Sequence, residues 1–242
     1  TEAADPVSLS PASDSIVRSA PIAKSRAAEA VHTPAYEGVA DPALPRILII
    51  GDSIAQGYTP GIVKLLAERM NVHRPAANCG ATFIGLRDLD KWLDGRSWDL
   101  IHFNFGVHDI RYCFDGDRYR FKNHAGQYPT AETGTPRTSL AGYESNLRTL
   151  VKRLQATKAK LIWASTTPIG EYFHGYDPVL VPKYNQAAAR VMNELGVPIN
   201  DLYAALAADV VRLVGGDHVH PNRQGGRVLA QKVAEAIERG LE

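Results

Sequence analysis

The chain has 242 residues, 45% of them hydrophobic, and this length and composition suit a single α/β domain with one sizeable core and a tail. Its net charge of +1 gives no reason to expect nucleic acid or an anionic membrane surface as a partner. No apolar stretch approaches the roughly 20 residues of a membrane-spanning helix, so no membrane anchor is expected.

Residues 1–45 hold six prolines, eleven alanines and one aromatic, Tyr36, and read as an exposed Pro/Ala-rich arm before a domain at 46–242. Lys24 to Val31 suit a short helix docked on that domain. The Pro/Ala/Ser-rich lead, with no Met before Thr1, suits a mature secreted or periplasmic protein whose signal peptide has been removed. A chain cut from a longer one has the same look.

The domain opens on Arg46-Ile47-Leu48-Ile49-Ile50-Gly51-Asp52-Ser53, an apolar run that suits a central parallel strand and breaks at a glycine. Thr59-Pro60 followed by Ile62, Leu65, Leu66 and Met70 predicts a helix over 60–70. Ser53 therefore falls at the carboxyl end of a strand, where open α/β sheets bind their ligands. On the sequence alone Asp52 and Ser53 also suit plain helix capping.

Farther on, strands are expected near 46–50, 72–76, 99–105, 160–165 and 197–200, and helices near 60–70, 82–94, 140–157, 183–195, 202–213 and 223–239. This alternation predicts a doubly wound α/β fold. Two connections exceed ordinary length, Arg111 to Ser139 and Thr166 to Pro182, and both are expected on the catalytic side. Their aromatics and cations, among them Arg111, Tyr112, Phe121 and Tyr172, suit stacking on sugar rings and hydrogen bonding to hydroxyls or carboxylates. Aromatics that simply pin the loops to the domain read equally well. Neither loop carries the long Leu/Ile-rich face of a lipid-binding lid, which favours a carbohydrate substrate.

Cys79 and Cys113 are too few for a disulfide framework and lack metal-binding spacing; either a bridge between two site loops or a pair of free thiols fits. Near the carboxyl terminus stands Asp217-His218-Val219-His220-Pro221-Asn222. A carboxylate and an imidazole three residues apart can hydrogen-bond, which fixes the tautomer and leaves the other ring nitrogen free to take a hydroxyl proton. Phosphate-binding, dinucleotide and zinc-protease motifs are absent from the sequence. Asp52, His108, Asp109, His218 and His220 include metal-ligating types, but such a site leaves Ser53 without a role, and no metal and no cofactor are expected.

Gly51-Asp52-Ser53 with Gly57, Gly80, and the pair Asp217/His220 resemble the sequence blocks of the SGNH hydrolases, the GDSL family of esterases and lipases, over about residues 46 to 239. The third block departs from the pattern: Gly106-Val107-His108-Asp109 places His where the family has Asn. The resemblance implies a three-layer α/β/α fold with a five-stranded parallel flavodoxin-like sheet. It also implies Ser53 as nucleophile, His220 as base, Asp217 as its orienter, and Ser53, Gly80 and His108 around the oxyanion. Asp52, Arg111, Tyr112 and Tyr172 are expected at the substrate. The function expected is that of a serine esterase removing acyl groups, acetyl foremost, from a carbohydrate. A glycan-cleaving enzyme using His108 and a non-catalytic carbohydrate-binding protein are the alternatives.

Overall fold

The computed structural model describes residues 32–34 and 41–242. In chain order the elements are β1 (His32–Pro34), β2 (Arg46–Ile50), α1 (Ser53–Leu66), β3 (Asn71–Pro75), α2 (Thr82–Leu93), β4 (Leu100–Phe103), α3 (Val107–Ile110), β5 (Tyr112–Cys113) and β6 (Thr135–Pro136). Then follow α4 (Leu140–Ala156), β7 (Lys160–Ala164), α5 (Leu180–Glu194), β8 (Ile199–Asn200), α6 (Leu202–Ala207), α7 (Val210–Leu213) and α8 (Arg223–Leu241).

Five strands form the expected parallel sheet in the order β3-β2-β4-β7-β8, and β1 adds an antiparallel edge beside β3. Thus three residues of the arm belong to the sheet, whereas the expected helix at Lys24–Val31 lies outside the described residues. The strands are apolar on both sides because helices cover both faces: Ile47, Leu48, Ile49, Ile50, Leu100, Ile101 and Phe103 are all fully buried. Helices α1 and α8 pack on each other, as do α2 with α4 and α4 with α5. Among the described residues no helix is long and apolar enough to cross a membrane.

Register positions the site. Ile49 pairs with His102 and Ile50 with Phe103, so β2 and β4 end level and their following turns emerge side by side. The buried His102 has its imidazole 3.2 Å from the Asn200 amide, and burial lowers its pKa to about 3, so it is a neutral core group.

Two expectations fail for local reasons. Helix α1 begins at Ser53, not near residue 60, because Asp52 caps it: Asp52 Oδ1 accepts the Ile54 N–H at 2.9 Å. Pro60 sits inside the helix, with the neighbouring Thr59 hydroxyl donating to the Ala55 carbonyl at 2.6 Å. The helix expected over 202–213 splits into α6 and α7, with Asp209 starting the second.

Candidate active site

The turn after β2 delivers Ser53 as the first residue of α1, so its N–H has no acceptor one turn back within the helix. The turn before α8 delivers Asp217 and His220. Ser53 Oγ lies 2.7 Å from His220 Nε2, and His220 Nδ1 lies 2.6 Å from Asp217 Oδ2. With the carboxylate at Nδ1, the neutral ring carries its proton there and Nε2 accepts from the serine hydroxyl. Asp217 Oδ1 accepts the backbone N–H groups of Val219 at 3.1 Å and His220 at 2.9 Å. Partial burial works against the charged form, yet these N–H groups and the imidazole together hold the Asp217 carboxyl below the usual range. The relay is open: the His220 and Asp217 side chains are 45% and 43% exposed.

The turns of Gly80 and His108 follow β3 and β4, the strands on either side of β2, and the Cys79 N–H donates to the Gly51 carbonyl at 3.2 Å, tying the Gly80 turn to that of Ser53. Gly80 has φ +61°, a left-handed conformation that favours glycine, and its N–H donates to Asn78 Oδ1 at 3.0 Å. A Cβ at Gly106 would lie 2.0 Å from Thr166 Oγ1, so only glycine fits where the chain turns into α3. His108 is half-buried; burial lowers its proton affinity, Asp52 opposes that, and Arg137, Arg111 and His220 add to it. The imidazole is therefore neutral near pH 7.

Asp109 is not the partner of His108. Its buried carboxylate accepts from Thr82 N at 3.0 and 3.1 Å and from Thr82 Oγ1 at 2.6 Å. Residue Ala81 offers α2 no side-chain cap, so Asp109 caps that helix from 27 residues away and ties α3 to the segment that follows Gly80. Burial raises the Asp109 pKa to about 6 against the hydrogen bonds from Thr82.

The residues expected at the substrate separate. Asp52, 1% exposed, lies beneath the turn as the cap of α1; its Oδ2 is buried without a hydrogen-bond partner among the described residues. Tyr112 is buried, with its hydroxyl donating to Asp177 Oδ2 at 3.3 Å, and the Tyr172 hydroxyl donates to the Pro129 carbonyl. Tyr112 thus ties its loop inward, whereas Tyr172 anchors through its hydroxyl and keeps its ring exposed. Arg111 directly follows α3, with its guanidinium 4.0 Å from the Phe121 ring centre and 4.9 Å from that of Tyr176.

The two long loops fold on each other. Tyr128 stacks on His174 at 4.0 Å, and Arg111 Nε donates to the His174 carbonyl at 3.2 Å. Gly170 N–H donates to the His218 carbonyl at 2.8 Å, which steadies the relay turn. The first loop is closed by the β5–β6 hairpin. Cys79 and Cys113 are buried free thiols and no bridge joins them; each sulfur faces a carbonyl of its own neighbourhood, Ala77 and Thr135. Among the described residues no group of three or more His, Cys, Asp or Glu side chains is arranged to hold a metal ion. Between α1 and α8 a cleft of about 640 Å³ runs from Ser53 and His220 past Lys64, Arg223 and Arg227. Arg137, which the sequence did not single out, lies buried in the first loop at 7% exposure.

A model of the GDSL-like lipase/acylhydrolase family matches residues 49–228. No curated protein matches the chain by sequence. Among solved structures it is similar to a lipase/acylhydrolase from Enterococcus faecalis, at 18% identity and a TM-score of 0.63, covering 82% of this chain and 98% of that one. An acetyl xylan esterase, AlAXEase, matches at 17% identity and a TM-score of 0.62, covering 79% and 99%. A catalytic mutant of an acetylxylan esterase from Geobacillus stearothermophilus matches at 17% identity and a TM-score of 0.59, covering 80% and 94%. At these identities the structural likeness establishes the fold.

Proposed function

From the premise that this chain belongs to the GDSL-like lipase/acylhydrolase family, we propose that it is a serine esterase that removes small acyl groups, acetyl foremost, from a carbohydrate. The observation that carries the reading is the unbroken line of short contacts from Ser53 Oγ through His220 to Asp217. A serine hydroxyl is a weak nucleophile at neutral pH, and an adjacent base that is itself oriented by a carboxylate is what activates it.

In this mechanism Ser53 Oγ attacks the ester carbonyl as His220 Nε2 takes its proton, and Asp217 stabilises the imidazolium. The carbonyl oxygen becomes an oxyanion facing the Ser53 N–H, the Gly80 N–H and the neutral His108 imidazole. The Gly80 N–H now donates to Asn78 Oδ1, so its part in the oxyanion hole requires that bond to be shared or released. As the tetrahedral species collapses, His220 gives its proton to the departing sugar oxygen and the acyl group stays on Ser53. Water then attacks the acyl carbon as His220 takes its proton; the Ser53 Oγ–C bond breaks, His220 returns the proton to Ser53 Oγ, and acetic acid leaves and ionises to acetate.

Support for a sugar-borne ester comes from the loops beside the site, which present cations and aromatics such as Arg111 and the exposed Tyr119, and from the fold shared with acetylxylan esterases. Acetate release from acetylated xylan tests it. We expect turnover by the wild type and a fall in kcat of about 10⁴ or more in Ser53→Ala and His220→Ala. Release of shortened sugars without acetate, or full acetate release by Ser53→Ala, overturns the reading.

A further inference from the structure

Arg137 is 7% exposed, yet no carboxylate lies within ion-pair distance of it among the described residues. By contrast, Arg148 and Arg153 on α4 and Arg190 on α5 each have a carboxylate partner. Its Nε donates to the Arg118 carbonyl at 2.8 Å, and no protein acceptor among the described residues takes its terminal nitrogens. The guanidinium faces the rings of Phe83, Tyr119 and Phe121, at 5.1, 5.5 and 5.0 Å from their centres. Phe121 is shared with Arg111, which also lacks a carboxylate partner among the described residues. The two are joined through the backbone, Arg137 N–H donating to the Arg111 carbonyl at 2.9 Å.

Both cations flank the Phe121 ring. Arg111 directly follows α3, the helix turn that carries His108, while Arg137 packs on Phe83, three residues after Gly80, and the next residue, Thr138, donates its N–H to the Asp109 carbonyl at 3.2 Å. The Gly80 turn is in turn tied to the Ser53 turn by the Cys79 N–H donating to the Gly51 carbonyl at 3.2 Å, so the pair lies beside the turns of His108 and Gly80, and both charges act on the His108 imidazole. Asp109 is the carboxylate whose charge acts most on Arg137, but its oxygens are turned to Thr82. Ring faces attract a cation without neutralising it, and two like charges held close with little water are disfavoured unless an anion joins them. A guanidinium pair with free N–H groups matches the oxygens of a carboxylate or sulfate.

We propose that Arg111 and Arg137 form an anion subsite beside Ser53, and that the preferred substrate is an acyl ester of a sugar bearing a carboxylate or a sulfate group. This rests on the esterase reading above and adds the charge of the substrate to it. The aromatic rings then have a second role: they hold the two guanidinium planes apart and aimed, in the absence of a protein carboxylate that would compete with the ligand.

Two measurements test the proposal. The first is the ratio of kcat/KM for acetylated galacturonate over its uncharged methyl ester, with acetylated galactose 6-sulfate against acetylated galactose as the sulfate arm. We expect a ratio of about tenfold or more in at least one arm, falling toward one in Arg137→Gln and in Arg111→Gln. The second is calorimetric titration of Ser53→Ala with galacturonate, galactose 6-sulfate and galactose, which needs no turnover. An anionic sugar should bind about tenfold more tightly than galactose. Turnover with a ratio near one in both arms, or a ratio that survives both substitutions, overturns the subsite and leaves the esterase standing. Anion-selective binding by a protein that hydrolyses none of the esters keeps the subsite and overturns the esterase; equal or no binding of the three sugars overturns the subsite. Should Arg137→Gln fail to fold, the wild-type ratios and the less buried Arg111→Gln decide.

Discussion

The two sides of the site are held in opposite ways. Asp217 and His220 are fixed by hydrogen bonds inside one four-residue turn, and both side chains reach solvent. Gly80 and His108 are placed by a buried polar link between distant segments, with Asp109 capping α2 through Thr82 and Asn146 donating to the Thr82 hydroxyl at 2.9 Å. Local bonds can aim the base and its orienter because the two stand three residues apart, and only the contact with Ser53 reaches across 167 residues. An oxyanion hole must aim donors from separate strands at one point, and that demands long-range order. The relay side should therefore respond to substitution through chemistry alone, and the Gly80/His108 side, proposed above to receive the oxyanion, through both chemistry and stability.

The largest effect that sharpens this contrast concerns His108. Its neutral ring can donate one N–H to the oxyanion, so His108→Ala should lower kcat on an acetyl ester by about 10²–10³ with KM little changed. His108→Asn should recover part of that loss. Steady-state kinetics on the three proteins checks this, and a wild-type kcat in His108→Ala removes the imidazole from the oxyanion hole.

A smaller effect reads out as stability. The Asp109 pKa is raised from 3.8 to about 6, so the folded chain holds a proton there that the unfolded chain has released between those values. The corresponding stabilisation is complete below about 3.8 and is lost as pH rises through about 6. Asp109→Asn removes this titration. Its stability relative to wild type should rise by about 2–3 kcal/mol from pH 4 to pH 7, measured by urea unfolding at both. A difference that does not move with pH would mean that hydrogen bonds from Thr82 keep Asp109 ionised despite its burial.

The same contrast explains what was legible in the sequence. The central strands β2, β4 and β7 announce themselves as short apolar runs, and Asp217/His220 as a three-residue spacing, because both signals are local, whereas β3 (Asn71–Pro75) is mostly polar. The start of α1 was misplaced because Thr59-Pro60 carries a strong helix-start signal while the cap is Asp52, seven residues earlier. The edge strand His32–Pro34 owes its form to pairing with β3, not to any alternation of its own. Asp109 as the cap of α2 was not readable either, although the lack of a capping residue before Thr82 was a clue that another segment supplies one. Arg137 was missed for a similar reason. Its meaning depends on the 111–139 loop folding back so that Phe83, Phe121 and Arg111 surround it, and nothing in one dimension sets that arrangement.

The central claim is that Ser53 is a nucleophile activated through His220. A fluorophosphonate reagent followed by intact-mass spectrometry and peptide mapping tests it most directly. One adduct per chain is expected, on Ser53, and none in His220→Ala. An absent adduct, or one on another residue with labelling unchanged in His220→Ala, contradicts it.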